Sequence, residues 1–279
     1  MIRLSRSSDK AALQHLWHLA FGDPPEATEA FFSRLYRPGD ALVWDEGGTI
    51  ASAIYLLDAG TIPGSPPLRA SYSYALATLP EFRGRGLGTR MTKAAIARST
   101  ELGFDCNLIC PAEEGLFSYY TRLGYRNAFS IAEGTVSRQR IDDSTFICRI
   151  MSTDFLNYLL LRSAVLPNAA TMYPEAFLRY AAEGCMTSGG GLYRLELQGQ
   201  VGCAAVERRG DRLFVSEVLP ASLAEAFTLA LLDYLDAETA VFRTASNSEA
   251  LSPPLRCRPF VLAAGTIPTK GGYFPFVLD

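Results

Sequence analysis

The sequence predicts a mixed α/β protein whose two halves repeat one order of elements. Three observations lead there. Segments with apolar residues at helical spacing alternate with short runs of β-branched and aromatic residues, and Gly, Pro or Asp marks the joins. The order strand, helix, hairpin, strand, helix, strand occurs once before residue 140 and again after it. Hydrophobic residues make up 48% of the 279 positions and charged residues 20%, enough apolar material for a core without disulfides or metal.

In the first half, Ile2 to Ser5 is strand-like, and Asp9 to Phe21 is a helix with Leu13, Leu16, Trp17 and Ala20 on one face. Gly22-Asp23-Pro24-Pro25 breaks it, and a second helix runs from Glu26 to Tyr36, ended by Pro38-Gly39. Ala41 to Asp45 and Thr49 to Leu57 flank Glu46-Gly47-Gly48 as a hairpin. After a Pro/Gly loop, Leu68 to Leu79 is a long strand rich in tyrosine and small residues. Leu87 to Leu102 is a helix, Cys106 to Cys110 a short strand, and Leu116 to Leu123 a helix stopped at Gly124.

The pattern restarts near Arg140 to Ser144. Phe146 to Met151 is strand-like, and Thr153 to Ser163 is a helix capped by Ser152 or Thr153. Gly189-Gly190-Gly191 opens a run of strands, Leu192 to Leu197, Val201 to Glu207 and Arg212 to Leu219. A helix over Ala221 to Asp236 and a strand over Thr239 to Thr244 follow, and Gly271 to Leu278 would make a last strand. Two domains, 1–140 and 141–279, are expected; their parallel is one of architecture rather than of residues.

Charge and composition exclude several roles. A net charge of -3, with 26 dispersed basic residues, argues against nucleic acid as a partner. No apolar run approaches the roughly 18 residues of a membrane helix. The opening Met1-Ile2-Arg3-Leu4-Ser5-Arg6 lacks a secretion pattern, so a cytoplasmic location is expected. The cysteines at 106, 110, 148, 185, 203 and 257 contain no CxxC, and the two histidines, His15 and His18, are distant in sequence. No metal site is expected; the thiols read as reduced and mostly buried, the histidines as solvated or capping.

One segment carries chemistry: Leu79-Pro80-Glu81-Phe82-Arg83-Gly84-Arg85-Gly86-Leu87-Gly88, a strand exit, a glycine-rich turn and a helix start. Alternate glycines let the backbone curl with its N–H groups inward, and the helix start adds attraction for an anion such as a pyrophosphate. Arg83 and Arg85 add charge from the side. The dinucleotide fingerprint fails at Thr89, and the P-loop pattern is absent.

Arg83-Gly84-Arg85-Gly86-Leu87-Gly88 resembles motif A, Q/R-x-x-G-x-G/A, of the GCN5-related N-acetyltransferases (GNAT), and Tyr119-Tyr120-Thr121-Arg122-Leu123-Gly124-Tyr125 resembles that family's "FYxxLGF" helix end. The resemblance covers about residues 1 to 135. It implies two GNAT-like domains, each a mixed, mostly antiparallel sheet flanked by helices, with an acetyl-CoA site in the first. By the resemblance, the amides from Arg83 through Gly84, Arg85, Gly86 and Leu87 to Gly88 hold the pyrophosphate. Leu76, Ala77 and Thr78 meet pantetheine at a bulge, Leu76 supplies the oxyanion donor, and Tyr120 is the general acid. Where many members carry an asparagine seven residues before the tyrosine, this chain has Glu113.

The implied reaction is acetyl transfer from acetyl-CoA to a primary amine. A base must take the ammonium proton, and Glu113, Glu114 and Asp58 all remain open. Tyr119, Tyr72 and Tyr74 read as packing or pocket walls. The second half has no glycine turn: Leu219-Pro220-Ala221 leads directly into its helix. It reads as a degenerate copy, walling the acceptor cleft or supplying a homodimer face. Glu207, Asp211 and Glu217 there read as solvated turn residues, with attraction of a cationic amine as the alternative reading. The alternatives to an enzyme are a non-catalytic acyl-CoA-binding sensor or interaction protein, and a structural tandem domain with no ligand. Small amine, polyamine, aminoglycoside, amino acid and protein terminus all remain open as acceptors.

Overall fold

The computed structural model describes residues 1–138, 148–166, 170–246, 255–267 and 273–278. The expected restart at Arg140 to Ser144 lies outside them. In chain order the first elements are β1 (Ile2–Leu4), α1 (Lys10–Phe21), α2 (Pro25–Arg34), β2 (Ala41–Glu46), β3 (Thr49–Ile62), β4 (Leu68–Thr78), α3 (Leu87–Glu101), β5 (Cys106–Ile109), α4 (Glu114–Arg122) and β6 (Arg126–Ser137). Then come β7 (Cys148–Ser152), α5 (Phe155–Val165), α6 (Glu175–Thr187), β8 (Gly191–Leu197), β9 (Gln200–Arg209), β10 (Arg212–Leu219), α7 (Ala224–Tyr234), β11 (Thr239–Ala245) and β12 (Arg256–Gly265).

These elements gather into two compact units that are not contiguous halves of the chain. The first unit is Met1–Ala128 with Met172–Phe177 and Val261–Thr269; the second is Phe129–Thr171, Leu178–Phe260 and Lys270–Asp279. In the first unit the strand beside β5 is β12, paired antiparallel from Leu262↔Ile109 to Gly265↔Cys106. In the second, the strand beside β11 is β6, paired antiparallel from Thr239↔Ser137 to Ala245↔Ile131. Each unit therefore takes one strand from the far half of the sequence.

The first unit's sheet runs β1-β2-β3-β4-β5-β12. Its pairs are antiparallel except β4 with β5, which α3 joins as a crossover. Met91 and Ala95 of α3 pack on Leu42, Ile54 and Leu76 on one face. On the other face Trp17, Phe31 and Tyr55 meet edge-to-face or tilted, with centroids 4.7 to 5.6 Å apart. Tyr120, Tyr125 and Ile109 pack with Leu262 and Ala264 of the incoming strand.

The second unit repeats the plan as β7-β8-β9-β10-β11-β6, with β10 and β11 parallel and joined through α7. Phe227, Leu231 and Leu232 of α7 bury against Leu213, Val215 and Phe242. The mixed, mostly antiparallel sheet flanked by helices is thus present in both units.

Local boundaries differ where a neighbour claims a backbone group. Thr153 donates its N–H to Leu192 O at 2.9 Å and so stays with the sheet edge. The cap of α5 is therefore Asp154, which accepts from Asn157 N at 2.9 Å, not Ser152 or Thr153. The expected last strand does not form over residues 273–278; Tyr273 makes a single bridge to Ala170, and Phe274, Phe276 and Val277 serve as buried apolar chain.

A fragment of residues 1–140 lacks β12, so β5 keeps an unpaired edge and the Tyr120–Tyr125 cluster loses part of its cover. That fragment is expected to show no cooperative urea transition by circular dichroism, whereas the full chain shows one. A cooperative transition for 1–140 would contradict the exchanged-strand arrangement.

Candidate active site in the first unit

β4 is held along one edge by β3 and along the other by β5, but not for the same length. Pairing with β5 runs from Ala70↔Cys106 to Ser73↔Ile109 and stops, because β5 ends there. β4 continues to Thr78 alongside β3. The two parallel strands thus form a fork that opens past Ser73.

A bulge sits at the mouth of the fork. Tyr55 faces Tyr74 and Ala53 faces Ala77, so Ala75 and Leu76 together oppose Ile54. Ala75 takes φ +49°, a left-handed conformation that an alanine adopts only when its surroundings hold it there. Tyr74, Ala75 and Leu76 are half-buried, whereas Ser71, Tyr72 and Ser73 are buried. Leu76 and Thr78 flank the buried Ala77, and the Thr78 hydroxyl lies 2.9 Å from Ser52 Oγ.

The root of the fork is clamped by buried polar groups. Asn107 Oδ1 accepts from Ser73 Oγ at 2.8 Å and from the Tyr125 hydroxyl, while its Nδ2 donates to Ser71 Oγ at 2.8 Å. Ser71 Oγ in turn lies 2.7 Å from Ser99 Oγ on α3. The cluster ties β4, β5, α3 and the segment after α4 at one point. Removing Asn107 would orphan several buried groups, at about 1–3 kcal/mol each.

From Leu79 the chain passes through a 3-10 turn at Pro80–Phe82 into the glycine turn. Gly84 and Gly86 take φ +76° and +73°, which only glycine adopts without strain. Among the described residues, the amides of Gly84, Arg85 and Gly86 donate to no protein group. The first-turn amides of α3, which include Leu87 and Gly88, have no partner within the helix. Arg83 Nε donates to Thr78 O at 3.1 Å, and Arg85 donates to Glu81 O at 3.0 Å with its guanidinium over the Phe82 ring. Both arginines are therefore anchored beside the exposed turn, whose unpaired amides are of the kind that can take an anion.

Tyr119 closes one side of it. Its hydroxyl lies 3.2 Å from Thr89 Oγ1, and a Cβ at Gly88 would come within 3.3 Å of that hydroxyl. Tyr120 packs into the core with Tyr119 and Tyr125, at 7% exposure. Among the described residues its hydroxyl has no hydrogen-bond partner. Burial, then the neighbouring Tyr119 and Cys110, push its pKa up to about 12, so the phenol is neutral at ordinary pH.

Other expected residues stand apart. Glu113 and Glu114 lie at the exposed start of α4. Asp58 is exposed near the end of β3, where Oδ1 accepts from Gly60 N at 2.7 Å. His15 and His18 face solvent on α1. All six cysteines are free thiols, with Cys257 exposed, and among the described residues no cluster of His, Cys, Asp and Glu could hold a metal.

The expectation that Glu217 is a solvated turn residue is corrected. It is fully buried and accepts from Arg162 at 2.7 and 3.1 Å and from Tyr158 at 2.8 Å. It sits beside the β10 irregularity between Val215 and Glu217, which turns the side chain inward. Glu207 is paired with Arg209 at 2.9 Å.

The bulged strand, the fork and the glycine-rich turn all lie in the stretch that matches a known family. The model of an acetyltransferase (GNAT) domain matches residues 1–128. No curated protein matches the sequence. Among solved structures, the chain is similar to a probable N-acyltransferase from Enterococcus faecalis at 14% identity and TM-score 0.69, covering 94% of this chain and 72% of that one. A GCN5-related N-acetyltransferase from Anabaena variabilis gives 13% identity and TM-score 0.68, with coverage of 94% and 72%. One from Kribbella flavida gives 16% identity and TM-score 0.62, with coverage of 94% and 70%. At these identities the likeness is one of fold, and it extends beyond residues 1–128 to most of the chain. Among the described residues no helix is long and apolar enough to cross a membrane.

A Cβ at Gly86 meets no atom within 4 Å, so Gly86→Ala strains the backbone alone. Urea denaturation is expected to show a loss of roughly 1–2 kcal/mol. Tyr120 titrates higher folded than unfolded, so its contribution is complete below pH 10.0 and is lost as pH rises toward about 12. In a spectrophotometric titration Tyr120→Phe should therefore remove one phenol ionising near 12 and leave the rest of the profile unchanged.

Proposed function

We propose that the protein is an acetyl-CoA-dependent N-acetyltransferase that moves an acetyl group to a primary amine of a small molecule by direct attack on the thioester. The observation that carries the reading is the bulge at Ala75–Leu76, set at the mouth of a strand fork and followed directly by a turn of unpaired amides. The donor set fits the co-substrate. The turn from Arg83 to Gly88 would take the pyrophosphate on main-chain amides. The open edge of β4 from Leu76 through Ala77 to Thr78 would pair with the pantetheine amides, as an added strand does.

The chemistry then rests on two groups. The Leu76 amide would donate to the carbonyl oxygen as negative charge grows there, a donor type worth roughly 3 kcal/mol in other acyl-transfer enzymes. In this reading the Tyr120 hydroxyl would meet the departing sulfur. With its pKa up to about 12 it stays protonated, and full transfer to a thiolate of lower basicity is uphill. Tyr120 therefore stabilises the leaving thiolate by a hydrogen bond and completes the transfer only as the amine gives up its own proton. The catalytic gain from such a group is modest.

The second unit is read as binding no cofactor. Its chain passes from Leu219 and Pro220 to α7 without a glycine turn. Thr244 Oγ1 also donates to Val218 O at 2.7 Å, joining β10 and β11 beyond the end of their regular pairing.

Thiol release with acetyl-CoA and a panel of amines tests the proposal. Wild type is expected to turn over at least one amine. Tyr120→Phe should lower kcat by roughly tenfold to a hundredfold, at or below the usual range for a general acid, with KM for acetyl-CoA unchanged. Tight acetyl-CoA binding without turnover across the panel would favour a sensor instead.

A further inference from the structure

The bulge has two faces. Leu76 points to α3, where its Cδ2 lies 3.9 Å from a Cβ built at Gly88, and that face leads to the phosphate cradle. Tyr74 points the other way, toward α1, and is the last side chain on that face before the bulge. Its ring lies 5.6 Å from the Trp17 ring, edge-on, and stacks on Tyr72 at 5.8 Å. Trp17 also meets Phe21, whose ring is 44% exposed at the end of α1. Half-buried Tyr74 and exposed Phe21 thus offer apolar surface around a buried indole.

A carboxylate is fixed beside these rings. Trp17 Nε1 donates to Asp23 Oδ2 at 2.7 Å. Gly22, with φ +71°, turns the chain to place Asp23 there. Asp23 is half-buried, and among the described residues no cation pairs with it and no group bonds its Oδ1. A carboxylate with one oxygen committed and the other open, next to aromatic rings, is a site for an ammonium group. It cannot be the site of the attacking nitrogen. That nitrogen must reach the bulge, whereas Asp23 holds the Trp17 indole, and the indole ring is 5.6 Å from the ring of Tyr74, the residue before the bulge.

Resting on the proposed acetyl transfer, we infer that the acceptor is a diamine whose far nitrogen, still charged, pairs with Asp23 while its near nitrogen attacks at the bulge. The aliphatic spacer lies along Tyr74 and Phe21. The carboxylate also repels acceptors that carry an anion at that end, which disfavours free amino acids. Asp23 is a specificity residue and takes no part in bond making. The attacking nitrogen, neutral when it attacks, forms the new C–N bond and gives up one proton; the C–S bond breaks, CoA leaves as a thiolate that takes up a proton, and the far ammonium keeps its protons.

Asp23→Asn separates charge from architecture, because the amide oxygen still accepts from the Trp17 indole. The probes are CoA, then hexamethylenediamine and hexylamine titrated by calorimetry into CoA-saturated protein. Wild type is expected to bind the diamine at least roughly tenfold more tightly than the monoamine, the effect of one charge-assisted hydrogen bond. In Asp23→Asn the ratio should fall to about one, with CoA affinity and tryptophan fluorescence unchanged. Equal binding of both amines by wild type overturns the inference, as does a preference that survives in Asp23→Asn. Failure to take up CoA appears before any amine is added; it overturns the proposed function, and this inference with it.

Discussion

The Asn107 side chain fixes where two parallel strands part, and the rest of the site is laid out from that point. Its carbonyl oxygen and its amide are both bonded to serines of β4, and the Tyr125 hydroxyl adds a third contact from beyond α4. A buried amide with all these partners made is rigid, and any shift of β5 against β4 would leave several of them unmet. Beyond the clamp the strand edges are released. The main chain of β4 then has room to bulge at Ala75, and the helix that follows can present its first turn to an anion.

The second unit shows what the same plan becomes without that release. Its parallel pair also ends its regular register early, at Val215↔Phe242, and β10 is irregular just past that point. There, however, β11 runs on to Ala245, and Thr244 stitches to Val218. The irregularity is filled by Glu217, held by Arg162 and Tyr158 in full burial. A buried ion pair of this kind adds little net stability but is costly to break, so it locks the gap shut. One unit spends its bulge on an opening and the other on a core contact.

Much of the fold was legible because the hydrophobic periods are clean. The helix on Leu87, Met91 and Ala95 and the hairpin about Gly47–Gly48 stand close to their expected bounds, except that β3 runs on past Leu57 to Ile62. The glycine turn was equally plain, since alternate glycines have few other uses. What escaped depends on distant partners. β6 and β12 are strands only because each completes a sheet built mainly by the other half of the chain, and no local pattern encodes that. α6 carries Gly184 in its interior, which weakens the helical signal. Asn107 reads as one polar residue in an apolar strand until Ser71, Ser73 and Tyr125 are seen around it. Glu217 looked like a surface acid because its cation, Arg162, lies on a different helix. Trp17 with Asp23 read only as a core residue and a helix breaker.

Site and fold thus rest on one claim: the open edge of β4 and the turn after it form a single main-chain surface for a diphosphate and its pantetheine arm. Amide hydrogen exchange with and without acetyl-CoA examines that surface directly. Slowed exchange over residues 75–78 and 84–88, with no change over 216–224 in the second unit, is the outcome the account requires. Unchanged exchange in the first unit, or slowing confined to the second, would contradict it.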